Sequence, residues 1–347
     1  MSDFPDTPVP KPARTDSERP TLKTIAAETG LAIATVSRAL KDASDIGEET
    51  KRRVRETAER LGYRPNRAGV RLRTGKTNVV ALVLSTETDV MNHTSRLIYS
   101  IAAALRGTAY HLVIMPYFPD QDPMETVRYL VETESADGVI LNQTLPDDPR
   151  VRYLAAHNFP VATHGRTAMN LDHPYFDFDN EAFGRLAARE LAARGRKRLF
   201  LLPPPRAHSY AGHIITGFVD EAAQLGLVLE VAEGMTSDSS SDDIELAATL
   251  RFRGANPPDG IVSASTTGAM AMVTGVERAG LVIGRDFDIV AKEAINFLHR
   301  FRKEILVVRE DVGAAGEFLA RALIEAIERR DAPPRQHLDR PDHLSVK

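Results

Sequence analysis

Residues 21–66 read TLKTIAAETGLAIATVSRALKDASDIGEETKRRVRETAERLGYRPN, and three short helices can be parsed from them. Thr21 precedes Leu22, Ile25 and Ala26, an i, i+3, i+4 apolar set, and a threonine in that place can N-cap a helix. Gly30 stops it, because glycine accepts the left-handed conformation at a helix C-terminus. A second helix is predicted from Ile33 to Leu40, with Val36 and Leu40 inward and Thr35, Ser37 and Arg38 outward. Two helices joined by so short a turn make a helix-turn-helix. A third, Glu48 to Leu61, turns Val54, Ala58 and Leu61 inward, and Glu48 and Glu49 suit the positive end of its dipole. Tyr63-Arg64-Pro65-Asn66 then breaks the chain. Asn66 can cap a last short helix through Arg73, and Gly75 begins a linker.

Charge separates this module from the rest. Pro20 to Lys76 carry thirteen cations against seven anions, a net +6, in a chain whose total is −4. A small basic module on a larger acidic body suggests a polyanion partner for the module alone. A solvated charged face is the plainer alternative.

At 347 residues the chain is long enough for two or three folded units. Residues 1–19 are proline-rich and lack the apolar core of a secretory signal, so a disordered tail is expected. No apolar run reaches the roughly 20 residues of a membrane helix, and the cytosol is the expected compartment. The absence of cysteine excludes disulfides, thiolate catalysis and Cys-based zinc sites.

From Val79 the pattern changes to strands alternating with amphipathic helices. The predicted strands are Val79–Ser85, His111–Pro116, Gly138–Asn142, Val161–His164, Tyr175–Phe178, Leu199–Leu202, Gly260–Ala264 and Asp288–Ala291. Asn180–Ala193 and Ile214–Leu225 are two of the intervening helices. Continuous apolar strands with helical crossovers imply parallel sheets covered on both faces, enough here for two doubly wound lobes with a cleft between them. Ligands in such folds sit at the carboxyl ends of the strands. Ser237–Asp243 reads as a flexible polar loop. The expected domains are a helix-turn-helix unit at 20–65, a hinge helix and linker at 66–77, an α/β effector and dimerisation domain at 78–335, and a tail at 336–347.

The run Thr21 to Ser85 resembles the LacI/GalR family of transcriptional regulators over its whole length. Thr35-Val36-Ser37-Arg38-Ala39-Leu40 matches the recognition helix, and Gly62-Tyr63-Arg64-Pro65-Asn66 matches the segment that enters the hinge helix. Beyond Val79 the resemblance continues mostly as fold pattern. It implies an all-α DNA-binding domain with a hinge helix, followed by a two-lobed domain like that of periplasmic binding proteins. The implied partners are double-stranded operator DNA, a small-molecule effector and a second copy of the chain, with no cofactor.

The resemblance also implies roles for single residues. Ile33 and Ala34 face base edges, where apolar groups suit thymine methyls. Arg38 either forks onto guanine O6 and N7 or contacts a phosphate. Thr21, Thr35, Ser37, Tyr63 and Asn66 are phosphate-positioning donors. Leu72 matches the leucine wedged into the minor groove from both subunits, or else packs under the linker. Two departures cost about 1 kcal/mol each: Gly69 replaces the usual alanine of the hinge helix, and Ala32 replaces the serine that caps the recognition helix.

In the effector domain the family's arginine before a Gly-Phe pair is replaced by Ile214, with His213 beside it and Gly217-Phe218 following. Ser265-Thr266 stands for the usual Asn-Asp, and Lys292-Glu293 for the usual aspartate. The candidate pocket residues are Asp89, Arg166, Asp177, Tyr210, His213, Ser265 and Glu293. They are rich in groups that pair with hydroxyls, so a neutral sugar or polyol is expected, for instance a disaccharide such as an α-glucoside. Lys292, if it points inward, favours an anionic ligand instead. His208, His213 and Asp177 lack metal-ligand spacing, and no metal is expected. Three rival readings compete: a solute-binding protein, which would lack residues 20–76; an enzyme, for which no phosphate-loop, Gly-x-Ser-x-Gly or Gly-x-Gly-x-x-Gly motif is present; and a constitutive DNA binder with a vestigial pocket.

Overall fold

The computed structural model describes residues 20–64, 71, 75–86, 91–118, 120–341 and 344. It divides the chain into two units between Thr77 and Asn78. The tail at 1–19, the hinge positions Asn66, Gly69 and Leu72, and Asp89 lie outside the described residues.

In the first unit, α1 (Leu22–Thr29) opens on a capping box in which Thr21 and Thr24 exchange side-chain and backbone bonds, and ends on Gly30 at φ 66°. The second helix, α2 (Ile33–Ala39), starts at Ala32 with no side-chain cap bond, and α3 (Glu48–Arg60) follows Gly47. Ile25, Ala26, Val36, Ala39, Val54 and Ala58 form the core, with Leu40, Leu61 and Tyr63 half-buried against it. Leu40, expected to face inward, packs against this core from the C-cap position, and Ala39 before it is fully buried.

The second unit holds two parallel sheets. The first contains β1 (Val79–Ser85), β2 (His111–Tyr117), β3 (Gly138–Leu141), β4 (Val161–His164) and β5 (Tyr175–Phe178). The second contains β6 (Arg198–Leu202), β7 (Val228–Val231), β8 (Gly260–Ser263), β9 (Asp288–Glu293) and β10 (Leu306–Arg309). Their orders are 2-1-3-4-5 and 7-6-8-9-10, the same doubly wound pattern twice. β11 (Gln336–Asp339) adds to the outer edge of β5 in parallel register, Gln336 opposite Tyr175 and Asp339 opposite Phe178. Residues 336–347 were expected to be a tail. Instead they include this strand, and Leu344 is buried in the core of the other lobe. β7 and β10 are likewise additions to the expected strands.

The helices follow from the crossovers: α4 (Met91–Ala104), α5 (Pro123–Thr133), α6 (Pro149–Ala156), α7 (Asn180–Ala193), α8 (Ser209–Gln224), α9 (Ser241–Arg253), α10 (Thr266–Arg278), α11 (Leu298–Phe301) and α12 (Val312–Glu328). Gly217 belongs to the contact of α8 with α7. A Cβ there would lie 2.0 Å from the backbone oxygen of Glu181, so only glycine lets the two helices approach. Phe183, Ile214 and Phe218 are fully buried around that contact, each worth about 1.5–3 kcal/mol of transfer free energy. The chain crosses between lobes from β5 to α7, from β10 to α12 (whose Val312, Ala315 and Leu319 pack on the first sheet), and from β11 to Leu344.

Candidate functional site

On α2 the outward face is Ile33, Ala34 and Arg38, all exposed, with Thr35 and Ser37 half-buried beside them. Arg38 pairs with Asp45. Other cations of this unit have helix-bracing partners. Lys51 Nζ sits 2.7 Å from Glu48, Arg52 Nη2 2.8 Å from both oxygens of Glu49, and Arg60 Nη2 2.7 Å from Glu28. Arg53 Nη2 donates to the Thr29 carbonyl at 2.6 Å and so ties α3 to the end of α1. Tyr63 packs on the three-helix core, and that burial pushes its phenol up.

A second site opens between the two lobes, at the carboxyl ends of β3, β4, β5, β8, β9 and β10. Strand ends expose backbone groups and side chains that a crevice can use, which places the site where a doubly wound sheet should have one. The loop after β3 is held from beneath by Arg150, itself buried against Asp148 at 2.7 Å; its Nη2 donates to the carbonyls of Asn142 (3.3 Å) and Gln143 (3.0 Å). Gln143 takes a left-handed φ of 50° there. Such strain in a residue other than glycine persists only where its surroundings enforce it. Gly165, at φ 105°, closes the end of β4, and a Cβ on it would meet Thr144 Oγ1 at 2.6 Å. The Ser209 N–H donates to the Thr144 carbonyl at 2.8 Å, a direct bond between lobes.

Charge in the cleft is mutually neutralised. Lys292 points inward, its Nζ 2.8 Å from Glu310 Oε2 and 3.0 Å from Asn180 Oδ1. Burial works to raise Glu310, but Lys292 and His93 beside it hold its carboxyl well below the usual range. Asp177 is pushed up to about 7 by burial, against the pull of Arg166, whose Nε lies 3.1 Å from its Oδ2. Burial also raises Asp238. His164 is driven down to about 3 by burial and then by His93, and remains a neutral imidazole. Among the described residues, the buried Asn142 Oδ1 and His208 Nδ1 have no hydrogen-bond partner. Tyr210 stacks on His208 with centroids 5.4 Å apart.

Residues 21–66 match the bacterial regulatory proteins of the lacI family, and residues 77–302 match the periplasmic binding proteins and sugar binding domain of the LacI family. The chain belongs to the LacI family. It is similar to the HTH-type transcriptional regulator AglR of Rhizobium meliloti (strain 1021), with 31% identity over 324 residues that cover 91% of this chain and 90% of AglR. Its fold is that of the lac repressor dimer bound to operator and the anti-inducer ONPF, at TM-score 0.81, 19% identity and coverage of 95% and 98% of the two chains. It is also that of a transcriptional regulator CelR–cellobiose complex, at TM-score 0.68, 22% identity and coverage of 94% and 99%. Like other LacI-family members, this chain is a ligand-responsive, DNA-binding transcription regulator.

The LacI-type cleft gathers Asp177, Tyr210 and Ser265 of the residues read from sequence. Ser265 is half committed already: its Oγ caps α10 by accepting from the Gly268 N–H at 3.0 Å. Arg166, outside the described lining, pairs with Asp177 of it. Two of the expected residues stand elsewhere than in the cleft lining. Glu293 is buried outside the lining, and its Oε2 accepts from the backbone amides of Phe297 and Leu298 at 3.1 and 2.9 Å, fixing the turn after β9. His213 is also outside the lining, and its neighbour Ile214 is fully buried in the lobe core. The residues missed include His93, Asn142, His164, Asn180, Ala264 and Glu310. Asn142, His164 and Ala264 ended predicted strands, so the strand-end rule alone could have found them.

Proposed function

We propose that the chain is a cytoplasmic repressor, without catalytic activity, that reads a palindromic operator as a homodimer and is controlled by a neutral sugar or polyol in the interlobe cleft. The observation that carries the effector class is the balance of the cleft. Among the described lining residues the one ammonium, Lys292, is paired with Glu310, while Asp177 and Asp238 add further carboxyl groups. An anionic ligand would meet carboxyl groups whose neighbouring cations, Arg166 and Lys292, are already paired, whereas hydroxyl donors match acceptors such as Asn142 Oδ1. The same fold holds a disaccharide in the CelR–cellobiose complex. Arg38, Ile33 and Ala34 would read base edges from the exposed face of α2, with Thr21, Thr35, Ser37, Tyr63 and Asn66 on the backbone and Leu72 as the minor-groove wedge.

Pairing of two copies is supported by an apolar face. Leu246 and Leu250, one helical turn apart on α9, are 60% and 64% exposed, and Val228 on the edge strand β7 is 65% exposed. A dimer places two recognition helices about one turn of DNA apart. Ligand contacts to both lobes would shift their relative closure, which already includes the Ser209–Thr144 bond, and thereby bias the paired hinges.

Calorimetry of the full chain with maltose, cellobiose and melibiose, beside phosphorylated sugars, tests the effector class. Neutral binding that weakens at least tenfold in Asp177→Ala is expected. Tighter binding of a phosphorylated sugar would contradict the reading.

A further inference from the structure

At the floor of the cleft, two imidazoles and a carboxylate converge. His93 Nε2 lies 3.4 Å and His164 Nε2 3.7 Å from the same atom, Glu310 Oε1, and the three candidate ligand atoms all fall within 4.8 Å of one another. The imidazole centroids are 5.0 Å apart, tilted by 36°. We propose that His93, His164 and Glu310 form a binding site for a divalent transition-metal ion.

The spacing suits the chemistry. With metal–ligand bonds of roughly 2.1 Å, neighbouring ligands of a tetrahedral ion stand about 3.4 Å apart. Two edges of the triangle therefore already have tetrahedral length, and the third closes by a small rotation of His93, which is half-buried at the start of α4. Nitrogen and oxygen ligands without sulfur select an ion such as Zn2+ or Co2+ over softer ions and over the all-oxygen preference of Ca2+ and Mg2+. Three protein ligands leave a fourth position for water or for a hydroxyl group of a cleft ligand. Lys292 occupies the other oxygen, Glu310 Oε2, at 2.8 Å, and so leaves Oε1 to the ion. Its charge opposes the metal, but Asn180 Oδ1 at 3.0 Å gives the ammonium a second anchor away from the ion.

The site also lies on the chain's crossing between lobes. His93 and His164 belong to the first lobe, whereas Glu310 follows β10 of the second and leads into α12. A bound ion would fasten the two lobes at that crossing without any sugar being present.

Titration of the full chain with Co2+, followed by visible absorption and without sugar, tests the site. One saturable equivalent with the intense d–d band of a tetrahedral centre is expected, displaced by Zn2+. His93→Ala, at a half-buried position, should keep the wild-type thermal melt and weaken binding at least tenfold; Glu310→Gln should do the same to binding if its melt shows it folded. A wild-type chain with no saturable band, or a folded His93→Ala chain that titrates like wild type, would overturn the proposal. The metal titration contains no sugar, and sugar binding is read separately by calorimetry in the presence of a chelator, so failure of one reading is distinguishable from failure of the other.

Discussion

On the recognition helix Ile33 is 44% exposed and the Arg38 side chain 55% exposed, whereas in the cleft the side chains of Lys292 and Glu310 are only 11% and 6% exposed. Both regions carry ion pairs. The pair on the helix, Arg38 with Asp45, sits in water, where such contacts contribute little and exchange readily. An approaching phosphate or guanine can therefore take Arg38 at small cost. The pair in the cleft is shielded, and each charge there depends on the other. On the proposed reading the DNA-reading face is thus ready to change partners, while the cleft keeps its charges and offers a ligand its acceptors. A DNA surface meets a polyanion by substitution. A sugar cleft meets a neutral molecule by hydrogen bonding around a fixed frame.

Removing one member of the cleft pair should have the largest effect. Lys292→Met leaves Glu310 buried without its ammonium and should destabilise the effector unit by about 3–5 kcal/mol in denaturant unfolding. A loss under 1 kcal/mol would erase the contrast between the two regions. On the recognition helix, Arg38→Ala should leave stability almost unchanged but cost about 1–3 kcal/mol in specific DNA affinity, and relax preference at one base pair per half-site. Equal losses on specific and random duplexes would assign Arg38 to phosphate instead.

Arg53→Ala and Arg52→Ala sharpen the picture within the DNA-binding unit. Arg53 holds the Thr29 carbonyl, so its loss should cost about 1 kcal/mol of stability. Arg52→Ala should chiefly lower the salt dependence of DNA binding. Identical behaviour of the two variants would remove the structural role given to Arg53. The smallest effect at neutral pH belongs to His208, which burial drives down to about 4. The unfolded chain takes up its proton near pH 6.5 while the folded chain resists, so stability should fall as pH drops from about 6.5 toward 4. His208→Gln should flatten that limb in pH-dependent thermal melts; an unchanged slope would show that His208 does not contribute to it.

The DNA-binding unit was legible because its signals are local: Thr21 and Gly30 bracket α1, and Val36 and Val54 point into one small core. The cleft was legible in part where a residue lies at or just beyond the end of an obvious strand, as Asp177 and Ser265 do. Glu293 and Glu310 show the limit. Both lie at strand ends of the same lobe, but Glu310 follows the four-residue Leu306–Arg309, too short to stand out, and Glu293, the last residue of β9, satisfies two backbone amides that only the folded turn brings to it. β11 was missed for a related reason. Gln336–Asp339 reads as polar because it is an edge strand, and Leu344 finds its place only in a lobe built from residues far away in sequence.

The central claim, that a neutral ligand in this cleft controls DNA binding, is tested most directly by a fluorescence-anisotropy titration of the full chain. The duplex would be one that the chain itself selects from a random pool, with and without the neutral sugar that binds in calorimetry. The account predicts at least a tenfold change in operator affinity, absent in Asp177→Ala. An operator affinity unaltered by saturating sugar, in a chain that demonstrably binds that sugar, would contradict it.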